Sequence, residues 1–312
     1  RMTVSGKNVT LDGGGVTLWS STLEIRGQNM VIKNMRIRNG GDNISAKTPT
    51  NRLLLSHISS TGSHDDGMSL SYGSKNITVQ YSFLGSNTRS MFIKYDPSYL
   101  SIHHNWFIKQ WIRGPLIHVN FADVRCNVQE DWWAWGGPRF ESGSCGNAIN
   151  NTYVLNGFSA GKIDGTSYTY RNGRGKVFIA GSLAKGFIPI QQRGSARAEL
   201  PAPKVTTHSA QEAYKIVRKR AGCMPRDEID QAIIDLKKWY IADEKPLRLY
   251  RLQGGRPVKQ TVPLPPADVK LGPKLLSRPS GQDWKNHTYT PPVPPAGSES
   301  LPGTKITTSP AP

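Results

Sequence analysis

The chain is short of the residues that mark several small functional classes. It holds only 3 cysteines and 7 histidines in 312 residues, and none fall at zinc-ligand spacing. Three thiols do not make a disulfide scaffold. Cys126 and Cys145 flank an insertion-like segment: either they pair in an oxidising compartment and leave Cys223 free, or all three are unpaired small hydrophobic residues. No apolar run reaches the roughly 18 residues that a membrane-spanning helix requires, so no membrane partner is expected. Arg1-Met2-Thr3 leads into strand-like sequence without an apolar leader, and the expectation is a true start further upstream. Acidic residues are scarce as well, 22 against 40 Lys and Arg, for a net charge of +18. Such an excess favours a polyanion: nucleic acid, anionic lipid or an acidic polysaccharide. No nucleic-acid-binding motif accompanies the charge, so nucleic acid is not the expected partner.

What the sequence does contain is a repeat. Short β-rich runs begin at Val9, Val31, Leu53, Ile77, Leu100, Ala122 and Gly146, at successive spacings of 22, 22, 24, 23, 22 and 24 residues. The runs alternate and are β-branched, with Gly, Asn and Ser between them, and Asn8, Asn29, Asn51 and Asn76 stand just before four of them. Self-similarity at this period marks a solenoid. The leucine-rich-repeat frame is absent, and an immunoglobulin-like sandwich would show hairpin signals at shorter intervals of about 8–12 residues. The prediction is an all-β, right-handed parallel β-helix over about residues 1–200, each coil burying its inward face against its neighbours. Asn at the turns tolerates left-handed backbone and can ladder with the coil above.

Composition changes near Pro201, where most of the 22 prolines begin. Ser209-Ala210-Gln211-Glu212 has capping-box form before a periodic run. A second helix is predicted over Arg226 to Tyr240, with Ile229, Ile233, Ile234 and Leu236 as its apolar stripe. Residues 201–245 thus read as a helical extension packed on the solenoid. Residues 246–312 read as a Pro-, Ser- and Thr-rich extended or disordered tail.

Several segments, in order, resemble the pectate lyase and pectin lyase superfamily. Gly41-Asp42-Asn43-Ile44-Ser45 and then Leu55-Ser56-His57 resemble D-A-I-S followed by W-I-D-H. Asp65-Asp66-Gly67-Met68, Thr88-Arg89-Ser90-Met91 and Ile102-His103-His104-Asn105-Trp106-Phe107 follow the family order, as does Arg113-Gly114-Pro115-Leu116-Ile117-His118 against R-x-P-x-x-R. With Gly222-Cys223-Met224-Pro225-Arg226-Asp227, the resemblance spans about residues 8–235.

The resemblance implies a secreted, monomeric polysaccharide lyase that cleaves polygalacturonate by β-elimination. It places Arg113 as the base, Arg89 and His118 on the substrate, and Asp42 and Asp66, helped by Asp65, on Ca²⁺. Three positions depart from the pattern. Leu70 replaces the second acid of a D/E-x-x-x-D pair, Gly40 replaces a further Asp, and His118 replaces a second Arg. The thinned acid set leaves room for pectin-lyase-like action on methyl-esterified polymer, or for binding of acidic polysaccharide without cleavage. His103 and His104 read as turn and core residues. Trp133 and Trp135, in a loop expected beside the cleft, are either a sugar-stacking subsite or packing of that loop onto the solenoid.

Overall fold

The computed structural model describes residues 1–47, 50–132, 137–141, 143–154, 167–168, 175–184, 188–189, 194–235, 249–253 and 256–260. The solenoid forms, and it is a right-handed parallel β-helix. Each coil contributes short strands to three parallel sheets. In the first sheet Leu23 lies beside Ile44, Ile44 beside Met68 and Met68 beside Met91; next, Phe92 lies beside Leu116 and Leu116 beside Arg139. The second sheet aligns Val9, Met30, Leu53, Ile77, Leu100, Ala122, Gly146 and Val177. The third aligns Thr17, Arg36, Ser59, Phe83, Trp106, Val128, Thr152 and Leu183.

The second sheet is the one the repeat traced, with two differences. Met30, not Val31, stands in register with Val9 and Leu53. Side chains alternate across a strand, so a one-residue slip exchanges its faces. Met30 and Ile32 point into the core while Val31 is only half-buried, because the long thioether fills the interior that the β-branched residue seemed to suit. In addition, Val177–Ala180 adds a strand beyond the seventh run, displaced in sequence by the intervening segment.

Two asparagine ladders hold the coils in register. On the outside, Asn29 donates to Asn8 at 2.8 Å and Asn76 to Asn51 at 2.8 Å, while Asn8, Asn29 and Asn76 take positive φ. A second, internal ladder runs through Asn105, Asn127 and Asn151 between the second and third sheets. Asn105 Nδ2 donates to Val79 O at 2.8 Å and Asn127 Nδ2 to Ile102 O at 2.8 Å, and both backbone N–H groups reach the Asn Oδ1 of the next coil. Each amide thereby satisfies turn groups that water cannot reach.

The C-terminal part covers the third sheet. Helix α1 (Ala210–Arg220) starts with the capping box, Ser209 accepting from Glu212 N and Glu212 from Ser209 N. Helix α2 covers Glu228–Asp235 and starts two residues later than the sequence indicates, while residues 236–240 of the expected helix lie outside the described residues. Val217, Ala221, Ile229 and Ile233 pack on Phe83, Trp106, Ile108 and Val128. Arg38, fully buried, donates to Asp227 at 2.8 Å and to Asp230 at 2.9 Å. Residues 246–312 lie mostly outside the described set. Within them, Leu249–Gln253 and Arg256–Gln260 form an antiparallel pair in the segment expected to be an extended or disordered tail. Alternation on either side of Gly254-Gly255 was the available signal. All three cysteines are free, with the Cys126 thiol donating to His208 O at 3.4 Å.

His103 and His104 are buried at the same corner, as the sequence suggests, and His104 Nε2 meets His208 Nδ1 at 3.0 Å. Burial pulls His103 down to about 4 and His104 down to about 3, with Arg125 and the neighbouring histidines adding to it. Both values lie below the unfolded value of about 6.5. Between them the unfolded chain binds more protons, so stability falls as pH drops through this window. At pH 5 the loss is up to about 2 kcal/mol for each imidazole. The urea midpoint should therefore fall between pH 7.5 and pH 5, and His104→Gln should flatten that dependence. An unchanged slope in the variant would contradict the assignment.

Candidate functional site

The helices leave the first sheet to carry the charged residues. Asp42 precedes Ile44–Ala46, Asp66 begins Asp66–Leu70, Arg89 begins Arg89–Ile93 and Arg113 precedes Leu116–Ile117. Asp42, Asp66 and Arg89 stand at the same point on successive coils, and on the next coil Ile112 pairs with Arg89 and Arg113 follows it by one residue, so backbone pairing brings the side chains together. Asn43 N donates to Asp66 O at 3.0 Å, Arg89 N to Asp65 O at 3.1 Å, and Met91 N to Arg113 O at 2.9 Å. Parallel strands lie about 4.8 Å apart, and residues distant in sequence become neighbours.

The structure brings five sequence-selected residues together. Carboxylate oxygens of Asp42, Asp65 and Asp66 lie within 4.8 Å of one another. Arg113 Nη1 donates to both oxygens of Asp66, at 2.9 and 3.0 Å, and Arg89 Nη1 donates to Asp65. Asp42 Oδ1 accepts from Asp66 N at 3.2 Å. Burial pushes the Asp66 carboxyl up to about 7, with the charges of Asp65 and Asp42 adding to the rise and Arg113 opposing it. Burial also raises Asp42, reinforced by Asp65. Three crowded carboxylates with incomplete compensation form a hard, all-oxygen donor set. Ca²⁺ takes about six to eight oxygens, so the trio fits it as a partial shell to be completed by water and substrate.

Arg113 sits on a specialised backbone. Its φ of 65° is in the left-handed region, unusual for a residue with a Cβ. Its guanidinium lies 4.4 Å from the Phe92 ring centroid, and its Nε is buried without a hydrogen-bond partner. Behind it, Gly114 presses on two buried amides: a Cβ there would stand 2.1 Å from Gln129 Nε2 and 2.2 Å from Gln110 Nε2.

Other positions behave differently. His118 is placed at the far end of its strand, 4.0 Å from Glu141, which also accepts from Lys94 at 3.2 Å. Leu70 pairs with Ala46 and lies wholly within the core. An acid at position 70 would point into apolar interior, so the family pattern cannot be completed there in this register; the outward residue is Ser69. Trp133 and Trp135 lie outside the described residues. Sequence reasoning missed Phe92, and also Tyr72 and Tyr95, which stack at 4.8 Å. Their only signal is recurrence at one point of adjacent coils, Tyr72-Gly73 and Tyr95-Asp96.

The Gly114 contact yields a direct test. Gly114→Ala should destabilise the protein by about 1–3 kcal/mol, as overpacking does, and should strengthen divalent-cation binding by moving Arg113 off the Asp66 oxygens it now occupies. Denaturant midpoints and calcium titration read both effects. An alanine variant indistinguishable from the parent would show that the two amides yield freely.

No family model matches the chain. Among curated proteins it is similar to a probable pectate lyase C of Neosartorya fischeri, 26% identical over 299 residues, covering 84% of this chain and 69% of the relative. The probable pectate lyase C of Aspergillus fumigatus is 27% identical over 297 residues, with the same coverage of 84% and 69%. Among solved structures, a pectate lyase bound to a hexasaccharide superposes with a TM-score of 0.58 at 17% identity, covering 72% of this chain and 69% of that one. A pectate lyase from Bacillus sp. N165 in complex with trigalacturonate gives a TM-score of 0.56 at 16% identity, covering 70% of this chain and 76% of the other.

Proposed function

We propose that the chain, a parallel β-helix similar to pectate lyases, is a polysaccharide lyase that cleaves polygalacturonate by β-elimination. The observation that carries this reading is the convergence of Asp42, Asp65, Asp66, Arg89 and Arg113 on one stretch of the first sheet. In the reaction a base removes the proton on C5 of a uronate, a C4–C5 double bond forms, and the C4–oxygen bond breaks. The leaving oxygen is protonated by solvent.

The C5 proton is weakly acidic while the adjacent carboxylate keeps its charge. Ca²⁺ held by Asp42, Asp65 and Asp66 would neutralise that carboxylate and stabilise the enolate-like charge that develops. Arg89 offers a planar fork suited to a second carboxylate. Arg113 is the candidate base. An arginine pKa above about 12 makes it a poor one unless its surroundings favour the neutral form. Arg113 is held by both oxygens of Asp66, so that ion pair must open before its guanidinium can face the C5 proton. Asp66 holds its charge weakly, and that keeps the release within reach.

One observation favours a second reading, binding of acidic polysaccharide without cleavage. Both candidate cations are engaged by carboxylates. Ultraviolet absorbance of the unsaturated product separates the two. The expected result is product from polygalacturonate that a chelator abolishes, with Arg113→Ala slower by about 10²–10⁴, the range for loss of a general base. Product from esterified pectin that survives the chelator would move the assignment to pectin-lyase-like action. Absence of product from either polymer would leave the binding reading. A folded, fully active Arg113→Ala would remove Arg113 as the base.

A further inference from the structure

From the geometry we infer that the tyrosine pair Tyr72–Tyr95, with Lys47, forms a glycan-binding track that extends the candidate cleft toward the N-terminal coils and takes the anionic sugars next to the reacting one. This rests on the acidic-polysaccharide reading above and adds where the rest of the chain lies.

The contacts are continuous. The Arg113 guanidinium covers Phe92 at 4.4 Å, and the Phe92 ring meets Tyr95 edge-on at 5.8 Å. Tyr95 stacks on Tyr72 at 4.8 Å with the planes 20° apart, and Lys47 Nζ lies 5.4 Å from the Tyr72 ring centroid. The line thus runs from the candidate base across one coil after another to a lysine, with a cation at each end and rings between. A polymer of uronates presents the matching alternation, carboxylates separated by apolar C–H faces.

The tyrosines are built outward at some cost. Tyr72 is 50% exposed and Tyr95 48%, although each would bury well in a solenoid of this size. Both occupy left-handed backbone, with φ of 53° and 65°. Each follows the inward end of a first-sheet strand, Leu70 and Ile93, so the turn turns the ring to the surface beside the charged face. On the other side the track ends: Lys94 and His118 are drawn to Glu141, whose carboxylate would repel a uronate. That asymmetry sets the direction toward Lys47. Among the described residues the most exposed tyrosine is Tyr99, whose ring meets Phe121, tilted at 6.5 Å, and is covered by no cation. It serves as a control.

The test is calorimetric binding of trigalacturonate and hexagalacturonate to the full chain, with a neutral hexasaccharide as reference. The parent should bind the hexamer more tightly than the trimer. Tyr72→Ala/Tyr95→Ala should remove about tenfold of hexamer affinity, about 1.4 kcal/mol, and with it the gain from chain length. Lys47→Gln, which leaves the turn untouched, should lose part of the same gain in a way that vanishes at high salt. Tyr99→Ala should bind like the parent. If the double variant and Lys47→Gln both keep the full length gain, the track is overturned while the lyase reading stands. If the parent binds with a length gain that the variants lose, yet forms no unsaturated product, the lyase reading fails and the track stands. A parent that binds neither oligomer overturns both.

Discussion

Coil-on-coil pairing in a fixed register is the constraint on which everything else in this molecule depends. A side chain in a strand has only two directions, and a slip of one residue would exchange core for surface along a whole coil. The internal asparagines prevent that slip by tying each turn to the turns on either side: Asn105 to Val79 O and Asn127, Asn127 to Ile102 O and Asn151. Once register is fixed, residues more than twenty positions apart become vertical neighbours. Asp42, Asp66 and Arg89 form a column because the ladder makes one, and Arg113 joins it from the residue after Ile112, the partner of Arg89.

That column sets its own electrostatics. Asp42, Asp65 and Asp66 would repel one another if nothing opposed them, and the next coils supply Arg89 and Arg113. The compensation is incomplete, which is why burial and like charge leave Asp66 near 7. Such a site would take a further cation, and its arginines are occupied by carboxylates in its absence. The excess of 40 basic over 22 acidic residues acts at longer range, raising the local concentration of a polyanion around the molecule.

Much of this was legible in the sequence. The period near 23 residues carries the solenoid because each coil must return to the same point, and Asp42, Asp65, Asp66, Arg89 and Arg113 could be picked from motif order alone. What escaped was whatever depends on side-chain direction. Val31 looked like the register residue because β-branched residues favour strands, yet Met30 fills the interior. Leu70 looked like a lost ligand, whereas its position points into the core, where a ligand has no use. His118, grouped with the substrate residues by its motif, stands beside Glu141 instead. The Tyr72–Tyr95 stack carries no motif. It emerges only when two turns are superposed by the ladder beneath them.

The central claim is that one column of the first sheet holds both the carboxylates and the cations that act on a uronate. A crystal structure of the Arg113→Ala variant with calcium and hexagalacturonate tests it most directly. The expected result is a uronate carboxylate sharing a cation with Asp42, Asp65 and Asp66, its neighbouring sugars running over Tyr95 and Tyr72. Sugar bound to another face, or a cation held away from all three aspartates, would contradict it.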